Sequence, residues 1–126
     1  MSLLAQINTR HTVNFPTGEP DVMVPTFENG VVTIMVENLL TFVTPSELAE
    51  DVTINLVPGK QLRNGARVVI IVASGTTPHD TIINSAGTTI DPVPGAANTT
   101  NVFELIYLKS ALHSLGVFYQ VGNAIV

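Results

Sequence analysis

Short apolar runs separated by turn residues make up most of this chain. The clearest run spans residues 52–57, where Val52, Ile54 and Leu56 alternate with the residues between them. A period of two places successive side chains on opposite faces of a strand, so this run predicts a half-buried β-strand. The Pro-Gly pair that follows it directly predicts a turn.

Further strands are predicted from the same kind of pattern. They cover residues 31–36, 39–44, 68–74, 81–84, 88–90, 102–109 and 117–121. The first of these is apolar at every position except Thr33, which predicts a strand covered on both faces. Residues 68–74 form the most apolar run, and we expect them to be the central strand of a sheet.

The segments between the strands carry turn residues. Asn29-Gly30 and Asn64-Gly65 predict tight turns, because Asn and Gly both tolerate a left-handed backbone. In residues 44–50, Thr44 and Glu47 have the spacing of a helix capping box. Because that segment is so short, it predicts either a brief helix or a loop.

Residue types agree with these strands. Val, Ile and Thr number 17, 10 and 15 of the 126 residues, and β-branched side chains favour a pleated sheet over a helix. The chain is therefore predicted to be all-β, a β-sandwich of the jelly-roll or immunoglobulin-like type with about six to eight short antiparallel strands. Residues 30–126 are predicted to form this single domain.

The predicted core consists of the aliphatic residues in the most strongly patterned strands. They are Ile34, Val52, Ile54, Leu56, Val69, Ile71, Ile106 and Leu108. Burial of aliphatic side chains is the main stabilising contribution to a fold of this kind.

Residues 1–29 differ from the rest and are predicted to form an extended N-terminal arm. Proline and glycine recur between Pro16 and Pro25 and prevent a long helix or strand. The arm nevertheless keeps apolar residues suited to docking on another chain: Leu3, Leu4, Ile7, Val13, Phe15, Val22, Met23 and Val24. The alternative is that the arm folds back on its own domain.

Charge and composition exclude several classes of protein. The net charge is −5 with only five Lys and Arg residues, too few cations for a nucleic-acid partner. The absence of cysteine excludes disulfides, thiolate zinc sites and cysteine nucleophiles. No apolar run is long enough for a bilayer span, and residues 1–10 lack the pattern of a secretory signal.

The scarcity of charge also bears on assembly. Exposed sheet edges are usually blunted by charged residues, yet lysine occurs only at Lys60 and Lys109. We therefore expect a homo-oligomer, with a trimer favoured, or edges covered by a partner protein. The apolar tail of the chain, residues 124–126, also needs cover.

Candidate catalytic residues are few and scattered. His11, His79 and His113 have no chelating spacing, so they do not support a metal site. Ser74 and Ser114 are the plausible nucleophiles, but neither lies in a nucleophile elbow. The sequence therefore predicts no enzyme activity and no cofactor.

Two charged clusters and the aromatic residues leave room for binding. Glu47, Glu50 and Asp51, or Asp80 with Asp91, could supply calcium ligands, although no EF-hand spacing is present. A basic cluster could meet an acidic patch on a partner protein, and it consists of Lys60, Arg63 and Arg67. Aromatic residues for sugar stacking are scarce, because most lie within predicted strands and tryptophan is absent.

One stretch of the chain resembles a known kind of protein. The strand at 52–57, the turn Asn64-Gly65-Ala66-Arg67, the apolar strand at 68–72 and the turn Gly75-Thr76-Thr77 resemble small β-rich virion proteins of tailed phages. The late strand at 102–109 and the closing strand at 117–121 complete the resemblance.

The resemblance implies a structural role in a virion, as an auxiliary or decoration protein on the capsid or as a fibre-attachment module. It implies other virion proteins, such as the major capsid protein, as partners, and it supplies no catalytic residues. The alternative from the residues alone is a sugar-binding or calcium-dependent β-sandwich module.

Overall fold

A computed structural model describes residues 20–85, 88–110 and 113–126, and this part of the chain contains nine strands and no helix. The strands are β1 Asp21–Met23, β2 Val31–Val36, β3 Leu40–Val43, β4 Val52–Pro58, β5 Arg67–Ala73, β6 Thr81–Ser85, β7 Thr88–Val93, β8 Thr100–Ser110 and β9 His113–Ile125. The all-β class predicted from residue types and alternation is thus confirmed.

The strands form two sheets, neither of which closes into a barrel. The large sheet has the order β1-β3-β5-β8-β9, and the small sheet has the order β2-β4-β6-β7. Buried apolar residues of both sheets belong to one core cluster. The strand β5 lies in the middle of the large sheet, as predicted for residues 68–74.

The chain alternates between the two sheets from β1 to β6. Successive strands within each sheet therefore run in the same direction, and the pairs β1–β3, β3–β5, β2–β4 and β4–β6 are parallel. Only β5–β8, β6–β7 and β8–β9 are antiparallel. The antiparallel prediction is wrong for the four pairings among the first six strands, because alternation shows which side chains are buried but not which strand lies alongside.

Several local predictions are confirmed. Asn29 and Gly30 have left-handed φ values of 53° and 77° in a tight turn. Glu28 and Val31 on either side of it exchange two main-chain hydrogen bonds of 3.0 Å. Residues 44–50 form a loop, not a helix, and Leu48 in that loop donates its N–H to the carbonyl oxygen of Ala73.

The core prediction is right for the small sheet and wrong for the large one. Ile34, Val52, Ile54 and Leu56 are buried as expected, whereas Val69, Ile71 and Ile106 are half-buried and Leu108 is 41% exposed. The large sheet instead contributes the alternate set, which is Val68, Ile70, Val72, Phe103, Leu105 and Tyr107. Strands apolar on both faces do not specify which face is inside, and a shift of one residue exchanges the faces.

Three other expectations change at the edges of the sheets. β2 is an edge strand with Val31 and Met35 exposed, so it is not covered on both faces as predicted. β1 lies within the predicted arm and pairs with β3, while residues 1–19 lie outside the described part of the chain. β9 runs from His113 to Ile125 and is longer than the predicted closing strand at 117–121.

A buried hydroxyl leads to a stability prediction. Thr41 is fully buried in β3, and its Oγ1 has no hydrogen-bond partner within the described residues. Replacing Thr41 with valine should raise the free energy of unfolding by about 1 kcal/mol, because an unsatisfied polar group leaves the core at nearly constant volume. Urea denaturation would measure the change.

Ser85 provides the matched control. Its hydroxyl oxygen is also buried but accepts a hydrogen bond of 2.7 Å from the main-chain N–H of Phe118, which joins the two sheets. Ser85→Ala should lower the free energy of unfolding, since that N–H would lose its acceptor. A loss of stability in Thr41→Val similar to that in Ser85→Ala would contradict the prediction.

Candidate functional site

The outer face of the large sheet is mostly apolar. Because Val68, Ile70 and Val72 point into the core, the residues between them point outward, and the same reasoning holds on the neighbouring strands. The outward side chains are Val22, Leu40, Phe42, Val69, Ile71, Val102, Ile106, Leu108 and Tyr119. We call this surface the outer face.

The strand register arranges these side chains in rows across the sheet. One row places Val22 beside Phe42 and Phe42 beside Val69. A second row runs through Ile106 and Tyr119, and a third places Ile71 beside Val102. Side chains in such rows shield one another, and most of them are only half-exposed. Val117, which the register places beside Leu108, is only 2% exposed.

Two opposite charges interrupt the outer face. Arg67 on β5 pairs with the carboxylate of Glu104 on β8, and the two side chains are 49% and 43% exposed. Arg67 therefore has a partner within the chain and does not act with Lys60 and Arg63 as one basic cluster. The paired charges leave the outer face electrically neutral.

The outward side of the small sheet carries more polar side chains than the outer face. Thr33 on β2 lies beside Asn55 on β4, which lies beside Asn84 on β6. The side-chain amide of Asn84 donates a hydrogen bond of 2.8 Å to Oδ1 of Asn55. The same side also carries Val31, Met35, Val57 and Ile82, so polar and apolar positions are mixed there.

The loops at one end of the two sheets are acidic. Five carboxylates lie there, on the segments before β2, β4 and β6, and they are Glu28, Glu47, Glu50, Asp51 and Asp80. Asp51 links two of these loops, because its Oδ1 accepts the main-chain N–H of Asp80 at 2.9 Å and lies 3.5 Å from Nδ1 of His79. We call this region the acidic end.

The opposite end carries the cations. Lys60 and Arg63 lie in the loop between β4 and β5, and Lys109 lies near the end of β8. Asn64 ties that loop to β8, because its Oδ1 accepts the main-chain N–H of Lys109 at 2.7 Å. We call this region the basic end, although it also contains Glu37 and, at the start of β1, Asp21.

The candidate catalytic residues do not assemble into a site within the described part of the chain. Ser74, His79 and Asp51 are neighbours, but the Ser74 hydroxyl oxygen accepts the main-chain N–H of His79 at 3.2 Å and does not contact the imidazole. The position of His11 and the side chain of His113 lie outside the described structure. This arrangement resembles a loop-stabilising network more than a catalytic triad.

Calcium ligands or an exposed aromatic side chain are the features that a ligand-binding module would need. Among the described residues, no group of three or more His, Asp and Glu side chains could hold a metal ion. One carboxylate proposed for calcium, Asp80, accepts the main-chain N–H of Gly95 at 3.1 Å, and the side chain of Asp91 is not described. Tyr107 and Phe118 are buried against each other, whereas Tyr119 is 42% exposed on the outer face.

An open groove of about 650 Å³ lies at the basic end. It runs between the connection after β2 and the loop after β4, and it is lined by Met35, Glu37, Asn38, Pro58, Gly59, Lys60, Gln61 and Leu62. Its ionisable groups are one carboxylate and one ammonium, with no further cluster of polar groups directed at a common point. The groove is therefore a weaker candidate for a binding site than the outer face.

The partner-binding residues predicted on the arm fall into two groups. Leu3, Leu4, Ile7, Val13 and Phe15 lie outside the described residues. Val22 and Val24 are 59% and 66% exposed on and just after β1. The outer face was missed by sequence reasoning because four of its residues were assigned to the core, and the signal for it is that β5 is apolar on both sides. The four are Val69, Ile71, Ile106 and Leu108.

Across the described ranges, no helix has the length and hydropathy needed to cross a membrane. No protein family, curated protein or solved structure matches this chain.

Proposed function

We propose that this chain is a structural protein of a bacteriophage virion, bound as an auxiliary protein to the capsid or acting as a fibre-attachment module. The observation that carries the proposal is the apolar outer face of the large sheet. Contiguous apolar surface on a folded domain usually marks a site of protein–protein contact. Assembly, rather than chemistry on a small molecule, is the function that such a surface serves.

Charge supports the same proposal. Only 12% of the residues are charged, so repulsion between neighbouring copies is weak. The sheets present a rigid platform, because one core cluster holds both of them. Such a platform can associate with another protein chain through its apolar outer face.

The test is an inventory of virion proteins. Particles of the phage that encodes this chain would be purified on a density gradient and analysed by quantitative mass spectrometry. We expect the chain in a fixed number of copies relative to the major capsid protein. Its presence in infected cells together with its absence from purified particles would contradict the proposal.

The arm provides a second prediction. Deleting residues 1–20 should leave the melting temperature almost unchanged, since β1 begins only at Asp21. The truncated protein should no longer join the particle if apolar residues such as Leu4 and Phe15 dock on another chain. Thermal melting and co-sedimentation with particles that lack the protein would measure the two properties separately.

Each result of the deletion has a distinct meaning. A truncated protein that unfolds at a much lower temperature would show that the arm packs on its own domain. A stable truncated protein that still binds particles in full would contradict arm-mediated docking.

A further inference from the structure

We infer that the outer face binds the outer face of a second copy of this chain, with the two copies antiparallel, so that the acidic end of each lies beside the basic end of the other. This inference rests on the proposed assembly function and names the surface and the orientation of the self-contact. It replaces the trimer expected from the sequence with a closed pair.

The apolar character of the outer face favours it as the surface that self-association buries. The outer face carries mainly aliphatic and aromatic side chains with one internal ion pair, whereas on the outward side of the small sheet apolar positions are mixed with Thr33, Asn55 and Asn84. Burying the small sheet would remove amide and hydroxyl groups from water. Burying the outer face removes mainly apolar surface, which is the favourable direction.

The two charges on the outer face can be covered as a pair. A second copy would cover Arg67 and Glu104, and isolated charges are costly to bury. These two already pair with each other within one chain, so neither would be left unpaired on association. Because their signs are opposite, Arg67 of one copy can also approach Glu104 of the other copy.

The charges at the two ends of the sheets favour an antiparallel orientation of the two copies. A two-fold axis along the strands would bring like ends together, with the carboxylates of Glu47, Glu50 and Asp51 facing those of the second copy. A two-fold axis across the strands places these carboxylates near Lys60 and Arg63 instead. Stacked sheets lie about 10 Å apart, which is close to a Debye length, so the difference in energy is not fully screened.

The same reasoning disfavours a trimer around an axis parallel to the strands, because its acidic ends would meet. A two-fold pair also uses the same patch on both copies and is therefore closed.

Single-cysteine variants provide the test, because the natural chain contains no cysteine. Gln61 is exposed at the basic end and Thr76 is exposed in the loop that follows β5 at the acidic end. Nitroxide labels would be attached to Gln61→Cys and Thr76→Cys in the full-length protein. Distances would then be measured in each pure variant and in an equal mixture of the two.

The expected distances follow from strand geometry. Seven residues of β5 span about 23 Å, so like labels in an antiparallel pair should lie at least about 25 Å apart. Unlike labels in the mixture should give a distinctly shorter distance. Light scattering should give twice the 13.4 kDa mass of one chain.

A matched pair of substitutions tests the surface. Ile106 is half-buried on the outer face, and Ile82 is half-buried on the outward side of the small sheet. Ile106→Lys should weaken self-association about tenfold or more, because a lysine would be buried without a partner, whereas Ile82→Lys should leave it unchanged. Circular dichroism and thermal melting would show that both variants remain folded.

Reversing charge tests the orientation independently. The double variant Lys60→Glu, Arg63→Glu should weaken association about three- to tenfold at low salt and have little effect at 1 M salt. A reversal that has no effect at low salt would contradict the antiparallel arrangement.

The outcomes separate this inference from the proposed function. A trimer, a pair with short distances between like labels, or an Ile106→Lys protein that still pairs normally would overturn the inference. A monomer at every concentration would overturn it as well. In each case the virion inventory would decide independently whether the chain is a structural virion protein.

Discussion

Replacing Ile70 with alanine is expected to lower the free energy of unfolding by about 2–5 kcal/mol. Ile70 is completely buried in the central strand of the large sheet. The substitution removes apolar contacts and leaves a cavity that the surrounding strands can close only in part. Urea denaturation of the purified protein at low concentration would measure the loss.

Ile71→Ala is the matched control, because it makes the same change at the next position of the same strand. Ile71 points to the outer face and is only half-buried, so we expect a loss of about 1 kcal/mol or less for the single chain. A loss equal to that of Ile70→Ala would mean that the assignment of faces is wrong. A loss in Ile71→Ala that grows with protein concentration would instead indicate that association stabilises the chain.

Replacing Gly30 with alanine is expected to have the second large effect. Gly30 has a left-handed φ of 77°, which costs other residues about 1–2 kcal/mol. An added Cβ would also lie only 2.8 Å from the carbonyl oxygen of Asp51. The loop would have to shift, and the hydrogen bond of 2.7 Å from Thr53 N–H to the Gly30 carbonyl oxygen would be strained.

Gly65→Ala separates the two causes. Gly65 has a similarly left-handed φ of 94°, but no atom lies within 4 Å of the position a Cβ would occupy. This variant should therefore show only the backbone cost, and Gly30→Ala should be the less stable of the two in thermal melting. Equal losses would show that the contact with Asp51 contributes nothing.

Sequence reasoning succeeded where the information is local. The alternation at Val52, Ile54 and Leu56 predicted a strand and its buried face, because polar residues between them leave only one inward side. The pair Asn29-Gly30 predicted its turn, because few residue types adopt a left-handed backbone at two successive positions.

It failed where both faces of a strand are apolar. In β5 the choice between Ile70 and Ile71 as the buried residue depends on the register with β3 and β8, and that register is set by distant residues. The candidate site therefore lay largely in the predicted strands, but four of its residues were placed in the core. Their position on the outer face is visible only when the second sheet is in place.

The sequence by itself determined the all-β class, the main strands and most turns, because side-chain period and turn chemistry act over a few residues. Only the tertiary structure decided that the chain alternates between two sheets with parallel neighbours. That path brings Glu28, Asp51 and Asp80 to one end, while Lys60 and Arg63 lie at the other. Strand direction and charge polarity both depend on pairings between distant residues, for which local patterns carry no signal.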